Sequence, residues 1–211
     1  MEAVGEVDIA SEIERSLGKQ RVVQEGSRSL DLEAQDHGAL TLTVDLAWAD
    51  ITVQAGQRSH VTVEYGLAAL AKEKEQAESL AESIELVLES REGGPVLTTK
   101  SPDPEAAKRI KVDCTISVPE GLNVQTHTES GDLLIRGLRG EYTHRGAVGD
   151  IALQDVAGPV SLEVTSGDVA ISRCEGAVQI TTLSGDVTGT LRLAHDRTST
   201  IKSTSGDVLL T

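Results

Sequence analysis

The residues best suited to chemistry in this sequence are aspartates that recur at a fixed interval in its last third. Each closes a Ser-Gly-Asp tripeptide or a close variant, and their numbers differ by 18, 18, 18 and then 21: Asp132, Asp150, Asp168, Asp186 and Asp207. A fixed period is typical of a stacked repeat structure, in which equivalent side chains of successive repeats lie close together. Such a row of carboxylates would offer oxygen ligands to calcium.

The glycine before each aspartate favours a structural interpretation of the same motif. Glycine adopts positive φ without a steric penalty, and the aspartate beside it can accept backbone amide hydrogen bonds in an Asx-turn. The calcium-binding repeat G-G-x-G-x-D is richer in glycine than this motif. We therefore predict turns without a cofactor, and we keep a calcium-stabilised binding protein as the alternative. The predicted turn residues are Gly131, Asp132, Gly149, Asp150, Gly167, Asp168, Gly185, Asp186, Gly206 and Asp207.

Aliphatic residues follow the aspartates at constant offsets, which indicates how one repeat is built. The first position after the aspartate holds Leu133, Ile151, Val169, Val187 and Val208, and a second glycine follows at Gly140, Gly158 and Gly176. Each repeat then has two strands and two turns, with alternate side chains buried between them. We predict an all-β, parallel β-solenoid of rungs of about 18 residues, and we assign a right-handed coil from the general rule for crossovers.

The N-terminal half carries a weaker form of the pattern. Residues 1–20 are expected to be a tail or short helix, residues 21–110 a β region, and residues 111–211 the regular solenoid. The stretch from Ala49 to Gln54 resembles the repeat around Asp150, so it is expected to be an early rung with 61–63 as its second strand. Helical spacing of apolar residues predicts one helical insertion at 67–83.

Composition excludes several partner classes. Lys and Arg number 19 against 34 Asp and Glu, a formal net charge of −15. Nucleic acids and anionic membrane surfaces attract basic proteins, so neither is an expected partner. Trp48, Tyr65 and Tyr142 are the only aromatic residues, which is unlike a carbohydrate-active β-helix enzyme with aromatic sugar platforms. We predict no enzyme activity, and keep a carbohydrate-active enzyme as a further alternative.

The sequence shows no targeting or membrane segment. The opening residues are acidic and lack the basic and apolar regions of a signal peptide, and no apolar run reaches the length of a membrane helix. A cytoplasmic protein is expected for the chain as written, with cell-envelope association if it is a trimmed piece of a longer protein. Cys114 and Cys174 are too few for a disulfide framework and lack metal-ligand spacing.

Two surface features favour association with a protein partner. The second position after each aspartate should face outward, yet it holds small or apolar residues, here called the outward stripe: Leu134, Ala152, Ala170, Thr188 and Leu209. An irregular loop with His195, Asp196 and Arg197 replaces an expected glycine turn. An open final rung would also expose unpaired strand edges, which favours self-association there. His144 and Cys174 fall at inward positions and are expected to be buried.

One stretch and the repeats after it resemble a known family. The run from Ile116 to Val124, ISVPEGLNV, is followed by Ser-Gly-Asp rungs with a second glycine eight residues later. This pattern resembles the bacterial putative-adhesin β-repeat family, a family of unknown function, over roughly residues 20–211. The resemblance implies a non-catalytic, adhesin-like scaffold or interaction module, and it supplies no catalytic residues.

Overall fold

The computed structural model describes residues 20–32, 40–103, 109–192 and 198–211. The predicted tail or helix within residues 1–19 lies outside these ranges. The strands, in chain order, are β1 (Gln20–Asp31), β2 (Thr41–Asp45), β3 (Ala49–Gly56), β4 (His60–Ala71), β5 (Glu85–Arg91), β6 (Gly94–Lys100), β7 (Ile110–Pro119), β8 (Asn123–Ser130), β9 (Leu133–Arg136), β10 (Tyr142–Val148), β11 (Ile151–Gln154), β12 (Val160–Ser166), β13 (Val169–Glu175), β14 (Val178–Ser184), β15 (Val187–Arg192), β16 (Thr200–Ser205) and β17 (Val208–Leu210). Helix α1 (Lys74–Glu82) lies between β4 and β5.

The strands form two sheets that face each other across an aliphatic core. Sheet A has the order β1-β4-β7-β3-β9-β11-β13-β15-β17, and sheet B has the order β16-β14-β12-β10-β8-β2-β6-β5. From β8 onward the chain alternates between the sheets, and each strand pairs in parallel with the equivalent strand of the next repeat. The expectation of a mainly β chain of stacked parallel strands with a helical insertion is confirmed.

Residues that are equivalent in the repeats are also neighbours in the sheets. Ile151 pairs with Leu133 on one side and with Val169 on the other, and all three are buried. Leu153 likewise pairs with Ile135 and Ile171. A column of aliphatic side chains therefore runs through the stack, which explains how the core forms with almost no aromatic residues.

One rung stacks out of sequence order. β2 pairs in parallel with both β6 and β8, and β3 pairs in parallel with both β7 and β9. The β2–β3 rung is therefore inserted between the β6–β7 rung, which follows it in the chain, and the β8–β9 rung. The expectation that Ala49 to Gln54 form an early rung is confirmed. Pairing of β3 with β9 places Asp50 next to Asp132, 82 residues away in sequence.

The assignment of 61–63 as the second strand of that rung is wrong. These residues belong to β4, which reverses direction and pairs antiparallel with β7, and β1 then pairs antiparallel with β4. Antiparallel pairing of β5 with β6 extends sheet B at the same end. The alternating valines fit either pairing direction, so only the available neighbour decides between them.

The helix is shorter than the predicted 67–83. Leu67 to Ala71 continue β4, where their backbone pairs with β1 and, as far as Ala69, with β7. Helix α1 starts at Lys74 and buries Ala77, Leu80 and Ala81. Leu67 and Leu70 fit a helical stripe as well as a strand, and the two neighbouring strands favour the extended form. Within the described ranges, no helix is long and apolar enough to cross a lipid bilayer.

Close contact between rungs explains the glycine of each Gly-Asp corner. Gly149 and Gly167 have φ of 149° and 139°, which disfavours any side chain. A Cβ on Gly167 would also overlap the carbonyl oxygen of Gly149, and a Cβ on Gly149 would overlap that of Gly131. Glycine is therefore required at the corner both for its backbone conformation and for the spacing of the stack.

We expect Gly167→Ala to lower the free energy of unfolding by about 3 kcal/mol or more, because it combines an unfavourable φ with overlap against a fixed backbone atom. Gly121→Ala is the matched control, since a Cβ there meets no atom within 4 Å, and should change it by less than about 0.5 kcal/mol. Urea unfolding followed by circular dichroism measures both. Equal effects of the two substitutions would contradict this role of the corner glycines.

Candidate functional site

The repeated aspartates form one continuous column along a corner of the stack. In each case the backbone N–H of one aspartate donates to Oδ1 of the aspartate in the preceding rung, over 2.8 to 3.1 Å. The members of this aspartate column are Asp50, Asp132, Asp150, Asp168, Asp186 and Asp207. The donor is thus the amide of the following rung, and not an amide of the same turn as the Asx-turn interpretation expected. Each side chain from Asp50 to Asp186 therefore links two neighbouring rungs.

The start of the column is neutralised by a lysine. Lys111 Nζ lies 2.5 Å from Asp50 Oδ2, while Asp50 Oδ1 accepts the amide of Asp132. Asp113 extends the row, because it pairs in register with Asp50. Sequence analysis missed both residues, since β7 follows β3 by more than fifty positions and only the sheet brings them together.

The column does not form a recognisable metal centre. Within the part of the chain that the structure describes, no group of three or more His, Cys, Asp or Glu side chains is arranged to hold a metal ion. One oxygen of each aspartate from Asp50 to Asp186 already accepts an amide hydrogen bond. Carboxylates stacked at strand spacing repel one another by roughly 1 kcal/mol per pair in water, which these hydrogen bonds offset.

The outward stripe lies in register beside the aspartate column. Leu134, Ala152, Ala170, Thr188 and Leu209 occupy equivalent positions of five neighbouring strands in sheet A. Thr52 of β3 and Thr115 of β7 continue this row, which the sequence did not indicate. The side chains that flank Leu134 in this row, Thr52 and Ala152, are short. A shallow groove of about 490 Å³ therefore runs along the row, with the aspartates on one side and Gln154 on the other. His195, Asp196 and Arg197, the other predicted surface residues, lie outside the described residues.

A second corner carries an ion pair between two residues in the left-handed region. Asp155 and Arg173 both have φ of 54°, and they stack on each other through Arg173 Nε to Asp155 Oδ1 at 2.5 Å and Nη2 to Oδ2 at 2.7 Å. This pairing lowers the pKa of the Asp155 carboxyl. Both side chains are exposed, so the pair adds little to stability.

His144 lies in the core as its position in the repeat predicts, with Thr126 on one side and Leu162 on the other. Its side chain is only 3% exposed. Thr126 Oγ1 lies 2.9 Å from His144 Nδ1 and 3.0 Å from Tyr142 Oη, so the three side chains form one buried polar network. Burial lowers the pKa of His144 from 6.5 to about 4, because the charged ring would lose its hydration. It is a neutral core residue at physiological pH.

Both cysteines are buried, as expected for Cys174. Burial raises the pKa of the Cys114 thiol to about 12 and also raises that of Cys174. Since the thiolate is the reactive form of cysteine, neither side chain is a nucleophile at neutral pH.

Substitutions in the aspartate column separate its structural role from a calcium role. Asp168→Asn keeps an oxygen acceptor for the Asp186 amide and removes a charge, so the free energy of unfolding should stay within about 0.5 kcal/mol. Asp168→Ala removes the acceptor and should cost about 1 kcal/mol. Melting curves with calcium and with chelator complete the test. A calcium-dependent shift that Asp168→Asn abolishes would support the calcium alternative instead.

The buried histidine should make stability depend on pH. The unfolded chain binds a proton near pH 6.5, whereas folded His144 does so only near pH 4, so stability should fall by about 3 kcal/mol as the pH drops between these values. His144→Gln should remove this part of the slope. His127→Gln is the control, because His127 is exposed and pairs with Asp45. Urea unfolding from pH 7.5 to 4 measures it; identical slopes for parent and His144→Gln would contradict the prediction.

The chain aligns with several solved structures at low identity. A putative cell adhesion protein from Clostridium sporogenes aligns with a TM-score of 0.47 at 10% identity, over 89% of this chain and 100% of that chain. A putative lipid binding protein from Parabacteroides distasonis gives 0.36 at 13% identity, over 89% and 96% of the two chains. A putative adhesin from Parabacteroides merdae gives 0.27 at 9% identity, with the same coverage as the second.

Sequence comparison gives the family. No curated protein sequence matches the chain. The model of the Toastrack DUF4097 family matches residues 106–211. The matched segment includes every strand from β7 to β17 and covers half of the 211 residues. The chain therefore belongs to the Toastrack DUF4097 family.

Proposed function

We propose that this protein is a non-catalytic, adhesin-like scaffold that binds a protein partner through the open edge of its last rung. The proposal includes a right-handed coil with rungs of about 18 residues as the rigid support. Its binding residues are those of β16 and β17, together with the outward stripe and the loop residues His195, Asp196 and Arg197.

The observation that carries this proposal is the exposure of a core position at the last rung. Val208 is equivalent to Val187 and Val169. These two valines are no more than 1% exposed, whereas Val208 is 46% exposed. β16 and β17 are the terminal strands of their sheets, so each pairs on one side only. Unpaired strand edges with an apolar interior are templates for a further strand.

The outward stripe extends the same surface. Leu209, its last member, is 66% exposed and lies beside Val208 at the open edge. A bound strand would therefore contact apolar side chains on the outer face as well as the open core. The aspartate column borders this face, which favours a partner with cationic side chains at its margin.

A peptide copy of a rung tests whether the edge accepts a strand. A peptide with the sequence of residues 178–192 should bind the protein saturably in isothermal titration calorimetry, because that sequence already adds to the corresponding edge of the preceding rung, β12–β13. Proline in place of Gln179 and Thr188 should abolish binding, because the amides of these alternate residues face the preceding rung, whereas the Val187 amide donates to the following one.

Matched protein variants locate the binding. Val208→Lys should weaken peptide affinity by about tenfold, and Val23→Lys, at the edge strand β1 where the side chain is 50% exposed, should leave it unchanged. Equal binding of the proline peptide, or no binding of either peptide, would refute strand addition at this edge.

A further inference from the structure

We propose that the outer face of sheet A, where its strands are antiparallel, carries a binding site for a lysine side chain of a protein partner. The site is a shallow pocket of about 430 Å³ with Gly66 and Ala68 of β4 in its floor and with β1 and β7 on its two sides. The pocket lies away from the last rung and does not depend on strand addition there, so the two proposals can be tested independently.

The first argument is that the described residues give no structural reason for glycine at position 66. Gly66 lies within β4, which pairs with a strand on each side, and its φ lies outside the left-handed region. A Cβ there would make one ordinary contact, with Val23 Cγ1 at 3.7 Å. By contrast, a Cβ on Gly26 of β1 would overlap the Tyr65 ring, so packing requires that glycine. A strand glycine without such a reason is typical of a place that a ligand or another chain approaches closely.

The second argument is the set of carboxylates around this glycine. Glu25 and Asp113 pair in register with Gly66 from the two neighbouring strands, and Glu64 lies two residues away on the same face of β4. All three acids are exposed, and within the described ranges none of them has a hydrogen bond or an ion pair to another side chain. Three acids from three strands repel one another, and a bound cation would replace that repulsion with attraction.

The basic residues of the pocket lie away from this glycine. Lys111 Nζ lies 2.5 Å from Asp50 Oδ2 on β3, so its ammonium is drawn to the side of β7 that is opposite to β4. Arg21 lies four residues before Glu25 along β1, at the other end of the pocket. The pocket is therefore acidic at the end that contains the glycine, and a cation is expected to bind at that end.

An ammonium group on an aliphatic stem matches this arrangement. Its three N–H donors can reach carboxylates from three directions, whereas the planar fork of a guanidinium suits a single carboxylate. Val23 and Ala68 pair with each other beside Gly66, and they offer apolar contacts to the methylene groups of the stem. Because the acids and Val23 are exposed, a free small molecule would stay largely in water here. A lysine side chain carried by a partner protein is therefore the occupant that fits.

An NMR titration of the ¹⁵N-labelled chain with the peptide acetyl-Ala-Ala-Lys-Ala-Ala-amide tests the site. We expect saturable shifts of the Glu25, Gly66 and Asp113 amides. Acetylation of the lysine Nζ keeps the stem and removes the charge, so it should raise the dissociation constant by about tenfold or more. Shifts that spread along the aspartate column instead would indicate general attraction to an acidic protein and would overturn the inference.

The variant Gly66→Ala separates a binding role of this glycine from a structural one. A Cβ in the pocket floor should raise the peptide dissociation constant by about tenfold. The urea midpoint of unfolding should stay the same or rise, because alanine is more favourable than glycine within a strand. Gly121→Ala is the matched control, since a Cβ there meets no atom within 4 Å, and it should leave binding unchanged. A Gly66→Ala variant that unfolds at lower urea and binds the peptide normally would show that the glycine is structural.

A charge variant tests the site without changing the glycine. Glu64→Gln should raise the dissociation constant by about fivefold. Glu129→Gln removes the same charge from an exposed position of β8 in sheet B, and it should leave binding unchanged. Equal effects of the two substitutions would contradict a specific site. If n-pentylamine binds as tightly as the peptide, the source of the ammonium is a free amine, and the protein partner is overturned.

Discussion

Stacking of the rungs depends on one type of hydrogen bond that repeats at every Gly-Asp corner. There the chain turns from sheet B to sheet A, and the aspartate amide points back toward the preceding rung, where a side-chain oxygen accepts it. The glycine before it allows the backbones to approach within strand spacing, because any Cβ would overlap the carbonyl oxygen below. Each bond contributes only about 1 kcal/mol, but the same bond recurs in register with the aliphatic columns of the core.

The two ends of the stack are finished differently. At the first end, β4 and β1 add to sheet A in antiparallel fashion, β5 adds to sheet B, and α1 packs against β1 and β4. The lysine at position 111 neutralises the start of the acidic column there. Among the described residues, the core position Val208 of the last rung is 46% exposed, and no amide donates to the Asp207 carboxylate. Antiparallel strands cover the first end of the stack, and among the described residues none covers the last rung. This difference is why association is proposed at the last rung.

The core tolerates one polar network within its aliphatic columns. Tyr142, Thr126 and His144 satisfy one another by hydrogen bonds, so the cost of burying them is reduced while the histidine is neutral. Protonation would leave a charge inside the stack with no carboxylate recorded as its partner in the described residues. The acidic column, by contrast, lies at the surface, where water and the corner amides stabilise its charges. The hydrogen bonds to the corner amides therefore account for the repeated aspartates without a bound ligand.

The sequence by itself determined the period, the corner glycines and aspartates, the inward aliphatic columns and the buried position of His144, because each is a local pattern repeated in register. Only the tertiary structure decided that β2–β3 inserts between later strands, that residues 67–71 are strand, and that Asp50 caps an amide 82 residues away. Alternating aliphatic residues fit a parallel or an antiparallel neighbour equally well, so long-range pairing makes that choice. The contacts of Lys111 with Asp50 and of Thr52 with Leu134 have the same origin, since strands distant in sequence bring these residues together.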